Sequence, residues 1–303
     1  MKTIFTQIII SLFFANFCLA QLPKVCSGEV KRFEKFESKY VKARNVDVWL
    51  PAGYGNNKKY AVLYMHDGQM LFDSTSTWNK QEWGVDETLS KLVSEGKIKD
   101  CIVVGAWNSN TRHCDYFPQK PFESLPKTVQ DSIYKANRQG LFGENIQSDN
   151  YLKFLVKELK PFIDKNFSTL KDRENTFVSG SSMGGLISMY AICEYPKIFG
   201  AAACISTHWT GVKPAENNPI PAAFILYLKK NLPSPQKNRI YFDYGTATLD
   251  AHYPPFQKLA DEVMRSKGFS EKNWITLEFV GKDHSEKAWR ERLDIPLTFL
   301  LKK

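Results

Sequence analysis

Six residues limit the folds open to this chain more than any other feature: Gly180-Ser181-Ser182-Met183-Gly184-Gly185. They stand between an apolar run at 175–179 and a helical pattern at 183–194. A serine at such a junction sits on a sharp turn from strand to helix. The turn brings backbone close to backbone, and Gly180 and Gly184 give clearance that larger side chains would deny. The helix opening here presents free N–H groups and the positive end of its dipole beside the Ser182 hydroxyl. Such an environment stabilises a developing negative oxygen.

The rest of the chain repeats this rhythm. Residues 46–50 alternate like an early strand, while 60–66 and 101–107 are continuous apolar runs, as strands buried on both faces are. Runs at 201–205, 239–243 and 274–280 continue the series. Between them fall helical patterns at 86–95, 150–166 (with Asp149 placed to cap it), 256–267 and 285–301. Together with the serine turn, this alternation predicts an α/β-hydrolase fold: a mostly parallel central sheet with helices on both faces. Two proline-bearing stretches, 108–148 and 207–238, break the rhythm. Both leave the carboxyl ends of strands, where ligands bind in such sheets, and are read as cleft walls.

Lys2, the apolar stretch 4–17 and Cys18-Leu19-Ala20 read as a signal peptide cleaved after Ala20. The apolar stretch is shorter than the ~20 residues that a membrane span needs. The expected organisation is a signal peptide at 1–20, a lead-in at 21–40 and one catalytic domain at 41–303, in a secreted or periplasmic protein without stable membrane insertion. Hydrophobic residues at 43% and aromatics at 14% suffice for a large core. The formal charge of +9 is scattered, and no nucleic-acid-binding motif accompanies it. Five cysteines follow the signal: Cys26, Cys101, Cys114, Cys193 and Cys204. Pairs 101–114 and 193–204 are conceivable disulfides, and buried free thiols are the equal alternative. No Cys/His spacing resembles a zinc site, and no metal or cofactor is expected.

A nucleophilic serine needs a base, and in this fold the order along the chain is serine, acid, histidine. His208, His252 and His284 lie beyond Ser182. His284 follows the last strand and precedes the last helix, so it is the expected general base. Asp250, just beyond the 239–243 strand, is the expected acid, with Asp243 as rival. Met183 and Gln69 are the expected oxyanion donors, the latter in the His66-Asp-Gly-Gln69 turn that ends an upstream strand. Trp107, His208 and Trp209 follow strands and are candidate substrate-binding residues.

These motifs, with Tyr244-Gly-Thr246 and Trp289, resemble the Putative esterase family, which includes esterase D, feruloyl and acetyl-xylan esterases, siderophore esterases and mycolyltransferases. The resemblance spans roughly 41–301. It implies a metal-independent serine carboxylesterase working through an acyl-enzyme on a small-molecule or oligosaccharide ester, with a carbohydrate-linked acyl group or a siderophore-type ester as substrate. Members often place the acid about three residues after the Gly of the Gly-Thr turn; here Asp250 stands five after Gly245. Acyl transfer to a sugar or lipid alcohol, and a catalytically silent carbohydrate-binding module, are the alternatives.

Overall fold

The computed structural model describes residues 21–303, so the signal-peptide expectation for 1–20 lies outside the described residues. Eight strands form one sheet: β1 (Glu29–Phe36), β2 (Arg44–Leu50), β3 (Ala61–His66), β4 (Cys101–Ala106), β5 (Thr176–Ser181), β6 (Ala201–Ile205), β7 (Arg239–Gly245) and β8 (Trp274–Phe279). Their spatial order is β1-β2-β4-β3-β5-β6-β7-β8. The β1–β2 and β2–β4 pairs are antiparallel, and the other pairs, from β4 onward, are parallel. The expected fold is therefore the one observed.

Alternate side chains of each strand enter two separate cores. Val62, Tyr64, Ile102, Val104 and Val178 join the larger, while Leu63, Met65, Val103 and Phe177 join the other. Helices Val85–Ser94 and Asp294–Leu301 cover the second core. Helices Met183–Glu194, Ile220–Asn231 and Pro254–Ser266 cover the first. Met183–Glu194 has no polar face and is buried from Met183 to Cys193, which suits a helix wedged between the sheet and an outer helical layer.

Several local expectations change. The lead-in at 21–40 contains β1, which pairs with β2 along an edge. Its sequence, Glu-Val-Lys-Arg-Phe-Glu-Lys-Phe, is largely solvated, and charged side chains suit a sheet edge. The stretch 108–148 carries helices Arg112–Tyr116, Gln119–Glu123 and Lys127–Asn137 rather than open loop, and 207–238 carries Ile220–Asn231. Asp149 does not cap its helix. That helix starts at Ser148, widens to a π-helix over Phe154–Leu159 and runs on to Asn166, while Asp149 accepts the Tyr190 hydroxyl at 2.5 Å. The 285–301 helix is two, Glu286–Arg290 and Asp294–Leu301. Cys26, Cys101, Cys114, Cys193 and Cys204 are all free thiols, so neither conceived disulfide forms. No helix among the described residues is long and apolar enough to cross a membrane.

Candidate active site

The serine turn is built from close backbone contacts. A Cβ on Gly180 would lie 2.8 Å from the backbone of Gly184, and one on Gly185 would lie 2.8 Å from the Ile205 carbonyl oxygen. Ser182 takes φ 56° and ψ −121°, a conformation that costs a non-glycine residue about 1–3 kcal/mol. Two backbone bonds to neighbouring segments hold it there: the Ser182 N–H donates to Ile205 O at 2.9 Å, and the His208 N–H donates to Ser182 O at 3.2 Å. Met183 is the first helical residue, so its N–H has no carbonyl one turn back within the helix.

His284 and Asp250 meet as expected. His284 Nδ1 lies 2.5 Å from Asp250 Oδ1, and the aspartate is fully buried. The five-residue spacing is absorbed by a 3-10 turn, Thr248–His252, which folds Asp250 back onto β7 so that its Oδ2 accepts the Gly245 N–H at 2.6 Å. Asp243 has another partner. Its carboxylate is buried against Arg292, with Nη2 at 2.9 Å from Oδ1, and takes the Tyr241 hydroxyl at 2.9 Å.

The His66-Asp-Gly-Gln69 turn approaches from β3. Asp67 adopts left-handed backbone at φ 56°, and Gly68 lies so close to Gly105 that a Cβ would come within 2.5 Å of its backbone. Asp67 is clamped by Arg112 through two bonds of 2.7 Å and by Asn108 Nδ2 at 2.6 Å. Burial pushes the Asp67 carboxyl up, but Arg112 and Asn108 outweigh it and hold the pKa below the ordinary value. Gln69 lies in the short 3-10 turn Gly68–Met70, and its side-chain oxygen accepts the Asn108 N–H at 3.1 Å.

Ser182 and His284 line one cleft of about 500 Å³. Its walls include Met70, Trp78, Trp83 and Trp289, with Asn79, Asn108 and Arg112 as polar lining. Trp78 is 83% exposed at the cleft, while Trp83 packs against Trp289 with ring centroids 5.6 Å apart. Thus the 71–84 segment supplies a wall that sequence reasoning missed; its tryptophans lie in a turn-rich stretch without periodicity.

The three substrate-binding candidates fall elsewhere. Trp107 is bonded to Asp47 at 2.9 Å and lies under Arg32, towards β1 and β2. Trp209 is wholly buried, its indole N–H satisfied by Gln257 at 2.9 Å. His208 is buried and bonded through Nδ1 to Tyr253 at 2.7 Å. None of the three lines the cleft. Trp209 and His208 turn to partners inside the fold because a buried indole or imidazole needs one, and half-buried Trp107 turns to Asp47.

Burial holds His66 and His208 down to about 3 and His113 to about 4, so all three are neutral in the folded protein at pH 7. Unfolding restores ordinary values near 6.5. The folded state then binds fewer protons than the unfolded state below that pH, and stability falls on acidification. The expected loss between pH 7 and pH 5 is roughly 2 kcal/mol per histidine. Asp86, raised by burial to about 6, works in the opposite direction, as do Asp243 and Asp261, whose carboxyls burial also pushes up. Urea titrations at the two pH values measure the balance; an unchanged or higher stability at pH 5 would contradict it.

Among the described residues, Cys26, Asp86 and Glu87 form a group with spacing suited to a cation, their ligand atoms within 4.8 Å of one another. None of them lines the cleft. Burial and Asp86 push the Cys26 thiol up to about 11, so it is protonated at neutral pH.

Comparison with known proteins gives a consistent picture. The model of the family described as Putative esterase matches residues 39–299. An endo-1,4-beta-xylanase/feruloyl esterase from Xylanibacter ruminicola is 27% identical over 184 residues, 57% of this chain but only 21% of that protein. Among solved structures, a ferulic acid esterase from Anaeromyces mucronatus superposes with a TM-score of 0.60 at 22% identity, covering 92% of each chain. An enterobactin esterase from Shigella flexneri superposes with a TM-score of 0.64 at 16% identity, covering 92% of this chain and 60% of that one.

Proposed function

Because the chain belongs to the Putative esterase family and is a carboxylic ester hydrolase of the α/β-hydrolase fold, we propose that Ser182, His284 and Asp250 form its catalytic relay and act through an acyl-enzyme. The observation that carries this reading is the 2.5 Å contact of His284 Nδ1 with buried Asp250, in a cleft that His284 shares with Ser182.

The steps follow from the chemistry of these groups. Ser182 Oγ attacks the ester carbonyl carbon while its proton passes to His284 Nε2. Asp250 keeps the Nδ1–H of the imidazole engaged, which leaves Nε2 free to accept. The carbonyl oxygen becomes an oxyanion held by the Met183 and Gln69 N–H groups. Collapse breaks the C–O bond to the alcohol, which takes the proton from His284. Water then repeats the sequence on the acyl-enzyme, giving a free acid and regenerating Ser182.

The walls of the cleft support an ester with an aromatic acyl group, on a sugar or a siderophore-type backbone. Exposed Trp78 offers a face for a ring, buried Trp83 and Trp289 line the cleft beside it, and Asn79, Asn108 and Arg112 offer polar contacts. The xylanase/feruloyl esterase and ferulic acid esterase names point towards the same substrate class. With the apolar N-terminal stretch, this fits an exported enzyme meeting its substrate outside the cytoplasm.

A screen of feruloylated sugar, acetylated xylan and trilactone siderophore, with and without an acceptor alcohol, tests the proposal. Aromatic acyl esters are expected to react fastest, with free acid as the main product. Preference for acetylated xylan would refute the aromatic assignment, and dominant transfer to the alcohol would make the enzyme an acyltransferase. Trp78→Ala is expected to raise KM for a feruloyl ester about fivefold with kcat little changed, since one aromatic contact contributes about 1 kcal/mol. Unchanged KM would remove Trp78 from the binding surface.

A further inference from the structure

We infer that Ser206 is a positioning residue for the relay, a hydroxyl whose only outlet for its proton is the Asp250 carboxylate. The inference rests on the reading of Ser182, His284 and Asp250 given above.

Ser206 follows β6 and is fully buried, with φ 42°. Its Oγ lies 2.6 Å from Asp250 Oδ2, 3.0 Å from Trp289 Nε1 and 2.9 Å from Arg292 Nη2. An indole N–H and a guanidinium can only donate. They occupy the lone pairs of the hydroxyl, so its single proton has one acceptor left, Asp250 Oδ2. The Gly245 N–H donates to the same oxygen at 2.6 Å. With Oδ2 fixed by two donors, the carboxylate cannot rotate, and Oδ1 stays aimed at His284 Nδ1.

Charge is matched behind this hub. Arg292 is buried, and Asp243 compensates it through Nη2 at 2.9 Å and Nε at 3.3 Å. Asp243 Oδ1 also takes the Ser206 N–H at 3.1 Å, so both ends of Ser206 are held. Asp243 therefore contributes to the site through Arg292 and Ser206, one step removed from the imidazole. Trp289 couples the hub to the cleft: its ring lies 5.0 Å from the His284 ring, while its N–H orients the Ser206 hydroxyl.

The test compares Ser206→Ala with Ser206→Gly. At φ 42° alanine carries the same strain as serine, and glycine adopts this backbone freely, so a purely backbone role would spare both variants. Both variants are expected to lose about 10- to 100-fold in kcat on p-nitrophenyl acetate, the rate equivalent of one hydrogen bond to a charged group. KM should stay within about twofold, because the hydroxyl touches no substrate. The low-field proton resonance of His284 Nδ1–H, observed in the intact protein, should move upfield in both. Wild-type kcat in Ser206→Gly, or a lowered kcat with that resonance unmoved, would overturn the inference. A wild-type protein that turns over no ester would instead sink the relay reading, and the resonance comparison separates the two failures.

Discussion

Ser182→Ala is expected to lose on the order of a million-fold in kcat, the scale seen when one member of a serine relay is removed. The protein should remain folded. The turn at residue 182 is held by its own N–H on Ile205 O and by the His208 N–H on its carbonyl, and neither bond involves the hydroxyl. Alanine meets the same backbone requirement as serine at φ 56°, so the strain is unchanged. A thermal midpoint within a few degrees of wild type, together with lost turnover, separates chemistry from misfolding. Activity within tenfold of wild type would remove Ser182 from the mechanism.

The second large effect is expected at Asp250. Three donors converge on its carboxylate: the Ser206 hydroxyl, the Gly245 N–H and His284 Nδ1. A carboxylate accepts from all three, whereas an amide must turn its NH2 towards one side or the other. Facing His284, the NH2 of Asp250→Asn would move the imidazole proton to Nε2 and block acceptance of the Ser182 proton. Facing Ser206 and Gly245, it would set donor against donor. The expected loss is about ten-thousand-fold in kcat, with KM less affected. Asp243→Asn makes the contrast. It leaves buried Arg292 without its counter-charge and should cost stability, about 3–5 kcal/mol, more than it costs the chemical step. The reverse pattern, with Asp250→Asn near wild-type activity and Asp243→Asn inactive, would exchange their roles.

The residues of the proposed relay could be picked out in the sequence because each is tied to a position in the strand order. Ser182 follows β5, Asp250 follows β7 and His284 follows β8, and parallel strands bring those three ends to one edge of the sheet. The wall of the cleft was not legible in this way. Trp107 and Trp209 also follow strand ends, but position along the chain does not set the direction of a side chain. Trp209 turns into the core towards Gln257, and Trp107 turns to Asp47. Trp78 lies in a turn and Trp83 in irregular chain, where neither helical nor strand periodicity marks which side chains face the cleft. The hub at Ser206 was hidden for another reason. It joins residues 206, 243, 250, 289 and 292, and only the folded sheet brings them together. The edge strand β1 escaped because its charges mask the alternation that reveals buried strands.

The most direct test of the account is labelling of the folded protein with a fluorophosphonate probe, followed by peptide mapping. The account expects one equivalent of phosphonate on Ser182, with labelling slowed sharply in Asp250→Asn and absent in Ser182→Ala. A folded protein that takes up no probe, or takes it up on another residue, would contradict the assignment of Ser182 as nucleophile.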